Sequence, residues 1–349
     1  MSSVFFTGYP GFLGSELLPR ILRRDPEKRV VCLVQPKFLP LAHERAAALG
    51  DRVELIEGDI TAPIGIDRDD IVEIYHLAAV YDLSVKRDAG MRVNVEGTKH
   101  VLDFAKRLPN LQRFHYVSTC YVSGRYDGDF TEDDLEKGQS FNNYYEETKY
   151  LAEVEVRRAM NEGLRATIYR PSVVVGDSQS GATQKYDGPY YVMRWILRQP
   201  HIAFLPVLLG AKHYTFNVVP RDFIIEAMDT LSASDVSIGK TYQLADPNPM
   251  TIDETIDAVA SATGHKIIRI PLPKFVAKGA LAYVPGVYRL LRIPAPAVDY
   301  FAQPTRYDAT NARRDLGPLG IRVPRFREYL PRLVEFVRAH PEVSAAAMA

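Results

Sequence analysis

Three glycines, Gly8, Gly11 and Gly14, follow a short apolar run, Val4–Thr7, and lead into an amphipathic segment, Phe12–Arg24. This order of strand, glycine-rich turn and helix constrains the fold more than any other feature of the chain. Glycines let the backbone turn sharply and approach a pyrophosphate, and the N-terminus of the helix offers unpaired N–H groups to it. A glycine triplet alone is weak evidence, but its position here predicts a dinucleotide site. The expected contacts are Gly8, Pro10, Gly11, Phe12, Leu13 and Gly14.

Short β-branched runs alternate with amphipathic segments over residues 1–176. The predicted strands are Val4–Thr7, Val30–Val34, Val53–Glu57, Ile71–His76, Phe114–Ser118 and Ala166–Arg170. The predicted helices between them are Phe12–Arg24, Leu39–Leu49, Val93–Arg107 and Tyr144–Asn161. Strict alternation implies parallel strands with right-handed crossovers, and therefore a doubly wound α/β sheet of the Rossmann type. Ligands of such sheets bind beyond the carboxyl ends of the strands.

The alternation weakens after Gly176, where prolines and short helical patterns (Arg221–Ser232, Ile252–Thr263) take over. We expect a dinucleotide-binding domain at 1–176, a substrate-binding lobe interleaved with the sheet at 177–343, and a disordered tail at 344–349. Two apolar stretches, Ile202–Leu209 and Phe275–Ile293, are interpreted as walls of a hydrophobic pocket, with peripheral membrane contact as the alternative. Neither has the uninterrupted apolar length of a membrane-spanning helix.

Charge and cysteine usage exclude several classes of protein. The 43 basic and 43 acidic residues balance, so nothing indicates a nucleic-acid partner. Cys32 and Cys120 are too few for a disulfide framework, which indicates a reducing compartment. The eight histidines do not pair with carboxylates or cysteines at ligand spacing, so no metal site is predicted. Because the N-terminus has no signal-peptide pattern, we expect a cytoplasmic protein.

The end of the second predicted strand bears on the choice of dinucleotide. An acidic residue about twenty positions after the glycines would bind the adenosine ribose of NAD. Gln35 and Lys37 stand there instead, and they tolerate a 2′-phosphate that a carboxylate would repel. This favours NADP(H) over NAD(H), with Lys37 as a solvated surface cation as the alternative. Asp59, beside Ile60, is placed either to accept from the adenine amino group or to cap a helix.

The fourth predicted strand ends in small residues that would let the backbone lie against the cofactor: Leu77, Ala78 and Ala79. His76, just before them, is interpreted as a core histidine. Val80 and Tyr81, which follow them, are predicted to contact the substrate together with Tyr121.

A tyrosine and a lysine four residues apart, Tyr145 and Lys149, share one face of the predicted helix after the fifth strand. An ammonium close to a phenol lowers the pKa of the phenol, as a general acid–base pair requires. A surface contact between the two is the alternative. A hydroxyl from the end of the fifth strand, Ser118 or Thr119, is expected to hold the oxygen of a substrate carbonyl. The adjacent Cys120 is interpreted as packing.

Together these motifs resemble the extended short-chain dehydrogenase/reductase family. The resemblance runs from TGYPGFLG through HLAA, NVEGT at Asn94–Thr98, STCYVSG and YEETK to YRPSVVVG at Tyr169–Gly176, about half of the chain. It implies a triad of Thr119, Tyr145 and Lys149. It also implies cofactor contacts from Asn94, Val117, Ser118, Pro171 and Val173, the last two against the nicotinamide.

Within that family, the chain is most similar to the branch of thioester reductases and male-sterility fatty acyl reductases. The features are the phenylalanine of TGYPGFLG, the threonine of VSTCYVSG and the segment Arg170–Gly188. Where this branch typically carries an arginine at the end of the second strand, the chain has Gln35 and Lys37.

The resemblance implies NADPH-dependent reduction of a carbonyl on a hydrophobic substrate, foremost an acyl thioester going to an aldehyde. One alternative is a ketone or aldehyde reductase of the dihydroflavonol or sterol type. Another is a nucleotide-sugar epimerase or dehydratase, which would need polar and arginine contacts in the second lobe. A non-catalytic dinucleotide sensor is the alternative from a different class. A homodimer is expected through the helices containing Val93–Arg107 and Tyr144–Asn161.

Overall fold

A computed structural model describes residues 2–273, 275–277, 279 and 304–343 of the chain. The strands are β1 (Ser3–Thr7), β2 (Arg29–Val34), β3 (Val53–Glu57), β4 (Ile71–His76), β5 (Arg113–Val117), β6 (Gly128–Phe130), β7 (Ala166–Pro171), β8 (Val173–Val175), β9 (Ile202–Leu208), β10 (Val218–Pro220), β11 (Thr241–Leu244), β12 (Lys266–Leu272) and β13 (Thr305–Tyr307). The helices are α1 (Gly14–Arg24), α2 (Leu39–Ala47), α3 (Arg87–Gly90), α4 (Gly97–Arg107), α5 (Tyr144–Asn161), α6 (Pro189–Leu197), α7 (Arg221–Ser232), α8 (Ile252–Thr263), α9 (Thr310–Leu316) and α10 (Phe326–Ala339).

Seven parallel strands form the central sheet in the order β11-β7-β5-β4-β1-β2-β3. All six strands expected from the sequence are in it, each within one residue of its predicted bounds. Helices cover both faces, so the strands need apolar side chains on both sides; β1 is buried at all five positions. The doubly wound α/β fold is therefore confirmed. The strand order reverses between β1 and β4, and a ligand crevice opens beside such a point.

The first helix shows how the sequence places the glycine turn. Leu17, Leu18, Ile21 and Leu22 are buried against the sheet, as the apolar stripe predicts. The helix begins at Gly14 rather than at Phe12, because the backbone from Gly8 to Leu13 completes the turn.

The predicted helix Val93–Arg107 begins irregularly. A π-helical turn, Met91–Glu96, joins α3 to α4. Just before this turn, the last residue of α3 packs closely against α5, since a Cβ on Gly90 would stand 3.1 Å from Cγ2 of Thr148. The sequence pattern did not indicate this turn, which carries Asn94 toward the sheet end of α5.

The later part of the chain returns to the central sheet before it forms a second layer. Strand β11 adds to the edge of β7, and the expected helices α7 and α8 have their predicted bounds. A second apolar cluster joins α6, α8 and α10 to the two-stranded parallel sheet of β9 and β12. No helix within the described ranges has the length and apolarity needed to cross a membrane.

Strand β9 corrects one expectation from the sequence. Its burial alternates: Ala203, Leu205 and Val207 face the second cluster, whereas Ile202 and Phe204 are 49% and 50% exposed. The stretch Ile202–Leu209 thus contains a strand that packs one face on the helices of the second cluster. It contributes no residue to the cavity described below and is not the pocket wall that the sequence suggested. Most of the second stretch, Phe275–Ile293, and the whole tail 344–349 lie outside the described residues.

Two histidines are buried in the central sheet without charge. His76 ends β4, where its ring bonds the hydroxyls of Thr7 and Thr98, and burial with the nearby Lys149 charge lowers its pKa to about 3. His115 on β5 is fully buried, which lowers its pKa well below the usual value. The expectation of a core histidine at His76 agrees with this environment.

These histidines predict acid-sensitive stability. The unfolded chain binds a proton at each histidine below about pH 6.5, but folded His76 does not until about pH 3. The free energy of unfolding should therefore fall by about 1.4 kcal/mol per pH unit for each site, or about 2 kcal/mol between pH 7 and 5 for His76. Urea unfolding at pH 7 and pH 5 measures this. Between the two pH values, the free energy of unfolding of His76→Gln should fall by about 2 kcal/mol less than that of the unaltered chain. Replacing the exposed His43 by Gln should leave this pH dependence unchanged. If His76→Gln has the same pH dependence as the unaltered chain, His76 is not the source of the acid sensitivity.

Candidate functional site

A cavity of about 410 Å³ lies beyond the carboxyl ends of β1, β4, β5 and β7. It runs from the glycine turn and Gln35 at one end to Tyr145 and Tyr81 at the other. Every site residue predicted from the sequence lines it except Asn94. A second cavity, of about 720 Å³, is more open and lies around Asn143, which caps α5, and Glu147 in its first turn; it contains none of the predicted site residues.

The glycine turn needs its glycines for packing as well as for conformation. Gly8 has φ +92°, and a Cβ there would stand 2.8 Å from the backbone nitrogen of Ala78. Cβ atoms on Gly11 and Gly14 would stand 2.7 and 2.5 Å from the carbonyl oxygen of Gly8. The turn is therefore closed on itself and on the end of β4, and its bare backbone forms one wall of the cavity. This cradle fits the pyrophosphate of a dinucleotide.

An arginine that the sequence reasoning missed holds this turn from behind. Arg45 on α2 donates from Nη1 to the carbonyl oxygen of Pro10 and to Oγ of Ser15, each at 2.7 Å. The Ser15 hydroxyl donates to the same Pro10 carbonyl at 2.8 Å. The contact joins residues thirty or more positions apart, and no local pattern indicates it.

At the adenosine end, Asp59 is held by its neighbours. Gln35 donates from Nε2 to Oδ2 of Asp59 at 2.7 Å, and the backbone N–H of Thr61 donates to Oδ1 at 2.9 Å. Asp59 thus caps a backbone turn and also lines the cavity, so it combines features of the two interpretations offered by the sequence. Lys37 is exposed, with Nζ 4.9 Å from the ring centroid of Phe38.

The opposite end offers a free hydrogen-bonding group to a nicotinamide. Ser172 is 6% exposed and lines the cavity between Pro171 and Val173, and its Oγ has no partner among the described residues. A buried hydroxyl is rarely left unpaired, and a carboxamide would satisfy it. The sequence reasoning named both flanking residues but not Ser172.

Thr119 and Tyr145 lie close together at the centre of the cavity, where the Thr119 hydroxyl donates to the Pro171 carbonyl oxygen at 3.3 Å. Thr119 begins the short helical turn Cys120–Ser123, where its Oγ1 accepts from the backbone N–H of Tyr121 at 3.3 Å. Burial raises the pKa of the Tyr145 phenol; the Thr119 hydrogen bond opposes the rise, and the charges of Glu146 and Asp187 add to it. Tyr145 is therefore a protonated phenol at neutral pH, suited to donate its proton.

Lys149 corrects the electrostatic part of the sequence argument. Its Nζ donates to the Tyr116 hydroxyl and to the Val117 carbonyl oxygen, both at 2.8 Å, and burial lowers its pKa to about 7. Lys149 is not among the groups that shift the pKa of Tyr145, which is raised rather than lowered. The spacing of four puts both residues on one helix face, but the longer lysine side chain extends past the phenol to the end of β5.

Ser118 lines the cavity, but its hydroxyl is turned inward. It donates to Oε2 of Glu153 on α5 at 2.6 Å. Glu153 is also paired with Arg170 at 2.7 Å, and both side chains are fully buried. Thr119, and not Ser118, therefore presents its hydroxyl to Tyr145.

Asn94 lies behind the cavity wall. Its Oδ1 accepts from the backbone N–H of Val80 at 2.9 Å, and its Nδ2 donates to the Thr148 hydroxyl at 3.0 Å. The structure thus gives it a positioning role at the loop after β4 and does not bring it to the cavity surface with the other predicted residues.

The substrate end contains polar residues that the sequence reasoning did not select. Lys185 pairs with Asp187 at 3.2 Å, and its Nζ lies 4.4 Å from the ring centroid of Tyr81. The Tyr81 ring meets Tyr145 edge-on, with centroids 5.0 Å apart. The only sequence signal was the segment Arg170–Gly188, noted for its resemblance and not for its chemistry.

Comparison with known proteins fits this geometry. The sequence model of a family described as "Male sterility protein" matches residues 6–228. Nonribosomal peptide synthetase asaC of Aspergillus flavus is 25% identical over 91% of the chain, which spans 34% of that protein. The 3-beta-hydroxysteroid dehydrogenase of Mycolicibacterium neoaurum is 28% identical over 99% of the chain and 97% of its own length.

Among solved structures, the terminal R domain from the myxalamid PKS-NRPS biosynthetic pathway superposes with a TM-score of 0.82. It is 25% identical and covers 99% of this chain and 92% of its own. The family match covers more than half of the 349 residues. The chain therefore belongs to the male sterility protein family and is an NAD(P)-dependent oxidoreductase of the extended short-chain dehydrogenase/reductase type.

Proposed function

We propose that the protein is an NADP(H)-dependent reductase that converts an acyl thioester to an aldehyde. The observation that carries this proposal is the grouping of Thr119, Tyr145 and Lys149 in the cavity that the glycine turn opens. The similarity to the R domain and to peptide synthetases favours a thioester over other carbonyl substrates.

Each member of the triad has a distinct task in this reaction. A bound nicotinamide supplies the hydride to the carbonyl carbon. Tyr145 donates a hydrogen bond to the oxygen as it gains negative charge and then gives up its proton to it, while the Thr119 hydroxyl turns from the Pro171 carbonyl, to which it donates at 3.3 Å, to donate a second hydrogen bond. Because burial raises the pKa of Tyr145, the phenol still holds that proton when the oxygen becomes basic. The hemithioacetal then collapses to thiol and aldehyde.

Lys149 supports the phenol from the end of β5. Its ammonium, held by Tyr116 and Val117, stands where it can bind the ribose of the dinucleotide. A pKa of about 7 lets Lys149 release and regain a proton near neutral pH.

A sterol-type alcohol or ketone is the second candidate substrate. The alignment with the steroid dehydrogenase covers 99% of this chain and 97% of that protein, whereas the alignment with synthetase asaC covers only 34% of the synthetase. The same triad serves that reaction without loss of a thiol.

A substrate panel separates the candidates. We expect NADPH consumption with medium- or long-chain acyl-CoA and release of free thiol, and none with UDP-sugars. Turnover of a 3-ketosteroid without any turnover of thioesters would replace the first proposal by the second. Tight dinucleotide binding with no turnover of any substrate would leave a sensor.

The preference for NADPH rests on Lys37 and on Gln35 at the end of β2. We expect NADPH to bind more tightly than NADH, because no carboxylate ends β2 and an exposed ammonium is near. Replacing Lys37 by Ala should weaken NADPH binding about fivefold, the effect of one exposed ion pair, and leave NADH unchanged. Fluorescence titration of both cofactors measures this. An equal loss for both, or a preference for NADH in the unaltered chain, would contradict the assignment.

A further inference from the structure

Three polar side chains from the segment after β8 form one wall at the substrate end of the cavity: Gln184, Lys185 and Asp187, called here the polar wall. The hydroxyl of Thr183 holds this segment in place, because it donates to the Lys185 carbonyl oxygen and accepts from the Lys185 N–H. The wall is thus a built part of the cavity and not a loose surface loop.

The polar wall stands close to the reacting groups. Lys185 and Asp187 are largely buried, at 19% and 14% side-chain exposure, and the Tyr81 hydroxyl donates to Asp187. Tyr81 in turn contacts Tyr145 edge-on. A substrate whose carbonyl lies at Tyr145 therefore brings atoms a few bonds from that carbonyl against the wall.

The wall has unused hydrogen-bonding capacity of two kinds. Oε1 of Gln184 is buried and has no partner in the described part of the chain, so it lacks a donor. The Lys185 ammonium has three N–H groups, and the contacts described for it are the Asp187 carboxylate and the face of Tyr81. A ligand that fits both groups must offer a donor and an acceptor on neighbouring atoms.

We propose that the polar wall binds a secondary amide of the substrate, whose N–H donates to Gln184 and whose carbonyl oxygen accepts from Lys185. This inference rests on the proposed reduction of thioesters. An alkyl chain would leave the Gln184 oxygen unpaired, and a carboxylate would face the Gln184 oxygen and the Asp187 carboxylate. The amide has two possible sources, the pantetheine arm on the sulfur side of the thioester and an amide within the acyl group.

Three thioesters of matched size distinguish the sources. The first is octanoyl-N-acetylcysteamine, with its amide on the sulfur side; the second is the octanoyl thioester of a plain alkanethiol, without an amide; the third is an N-acylaminoacyl thioester of that alkanethiol. We expect the unaltered protein to favour an amide-bearing thioester about tenfold in kcat/KM over the amide-free one. The favoured substrate identifies the source.

Gln184→Leu should remove that preference. We expect kcat/KM to fall about tenfold for the favoured thioester and less than about twofold for the amide-free one. The ratio between substrates is the readout, since a folding defect lowers all three equally. Gln179→Leu, at an exposed glutamine of the same segment, should keep the preference.

The outcomes separate this inference from the proposed function. Equal turnover of all three thioesters by the unaltered protein, or an unchanged preference in Gln184→Leu, overturns the amide site while thioester reduction stands. A lack of turnover with any of the three overturns the proposed function and the amide site with it.

Discussion

Tyr145→Phe is expected to lower kcat at least about a hundredfold and to leave the Kd for NADPH nearly unchanged. The substitution removes one oxygen that both hydrogen-bonds the developing oxyanion and supplies its proton, while the ring still packs against Tyr81. Because the lost interaction is stronger in the transition state than in the ground state, kcat should fall and KM should change little. Stopped-flow NADPH consumption and a cofactor titration measure the two quantities.

The neighbouring tyrosine gives a matched control. Tyr144 is 48% exposed and does not line the cavity, so Tyr144→Phe should keep full activity. Tyr145→Phe with activity close to that of the unaltered chain would remove the phenol from the mechanism. A comparable loss in both variants would mean that the effect comes from helix α5 and not from the hydroxyl.

The sequence predicts the parts of this protein that local patterns control. The turn around Gly8 and the stripe of α1 follow from spacing within one strand–turn–helix unit, and the structure shows both. That Tyr145 and Lys149 meet a hydroxyl from the end of β5 follows from topology, since ligand sites of such sheets gather at the carboxyl ends of the strands, but topology left Ser118 and Thr119 open and only the family resemblance implied Thr119.

Contacts between distant segments were beyond the reach of such patterns. The pairing of β9 with β12 joins Ile202 to Lys266, and no periodicity in either strand specifies its partner. The apolar run of β9 fits a pocket wall as well as it fits a half-exposed strand. The direction of Lys149 also depends on where the Val117 carbonyl lies, which helix spacing alone does not fix.

The polar wall shows a different limit. Gln184, Lys185 and Asp187 lie in a segment of Gly, Ser and Gln that the sequence indicates only as a loop. Their chemistry becomes visible when the fold brings Lys185 to the face of Tyr81, so the sequence indicated only the hydrophobic part of a substrate end to which the structure adds a polar wall.

Arg170→Met is expected to lower the free energy of unfolding by about 3–5 kcal/mol, the cost of leaving a buried charge unpaired. Arg170 and Glu153 are both fully buried. Burial alone would raise the pKa of Glu153, but the charges of Arg170 and Arg157 hold that pKa below its usual value. Without Arg170, Glu153 keeps a carboxylate in the interior with only Ser118 and the partly exposed Arg157 as partners.

A second substitution and a surface pair test the cause of this loss. Adding Glu153→Gln to Arg170→Met removes the unpaired charge and should restore at least about 1 kcal/mol, measured by urea unfolding. Arg306→Met breaks an ion pair with Asp129 whose side chains are 64% and 67% exposed, and it should cost less than about 1 kcal/mol. The buried Arg170–Glu153 ion pair joins α5 to the end of β7, where the Pro171 carbonyl oxygen accepts a hydrogen bond from the Thr119 hydroxyl. A double variant no more stable than Arg170→Met would show that the loss comes from packing at Phe130 rather than from charge.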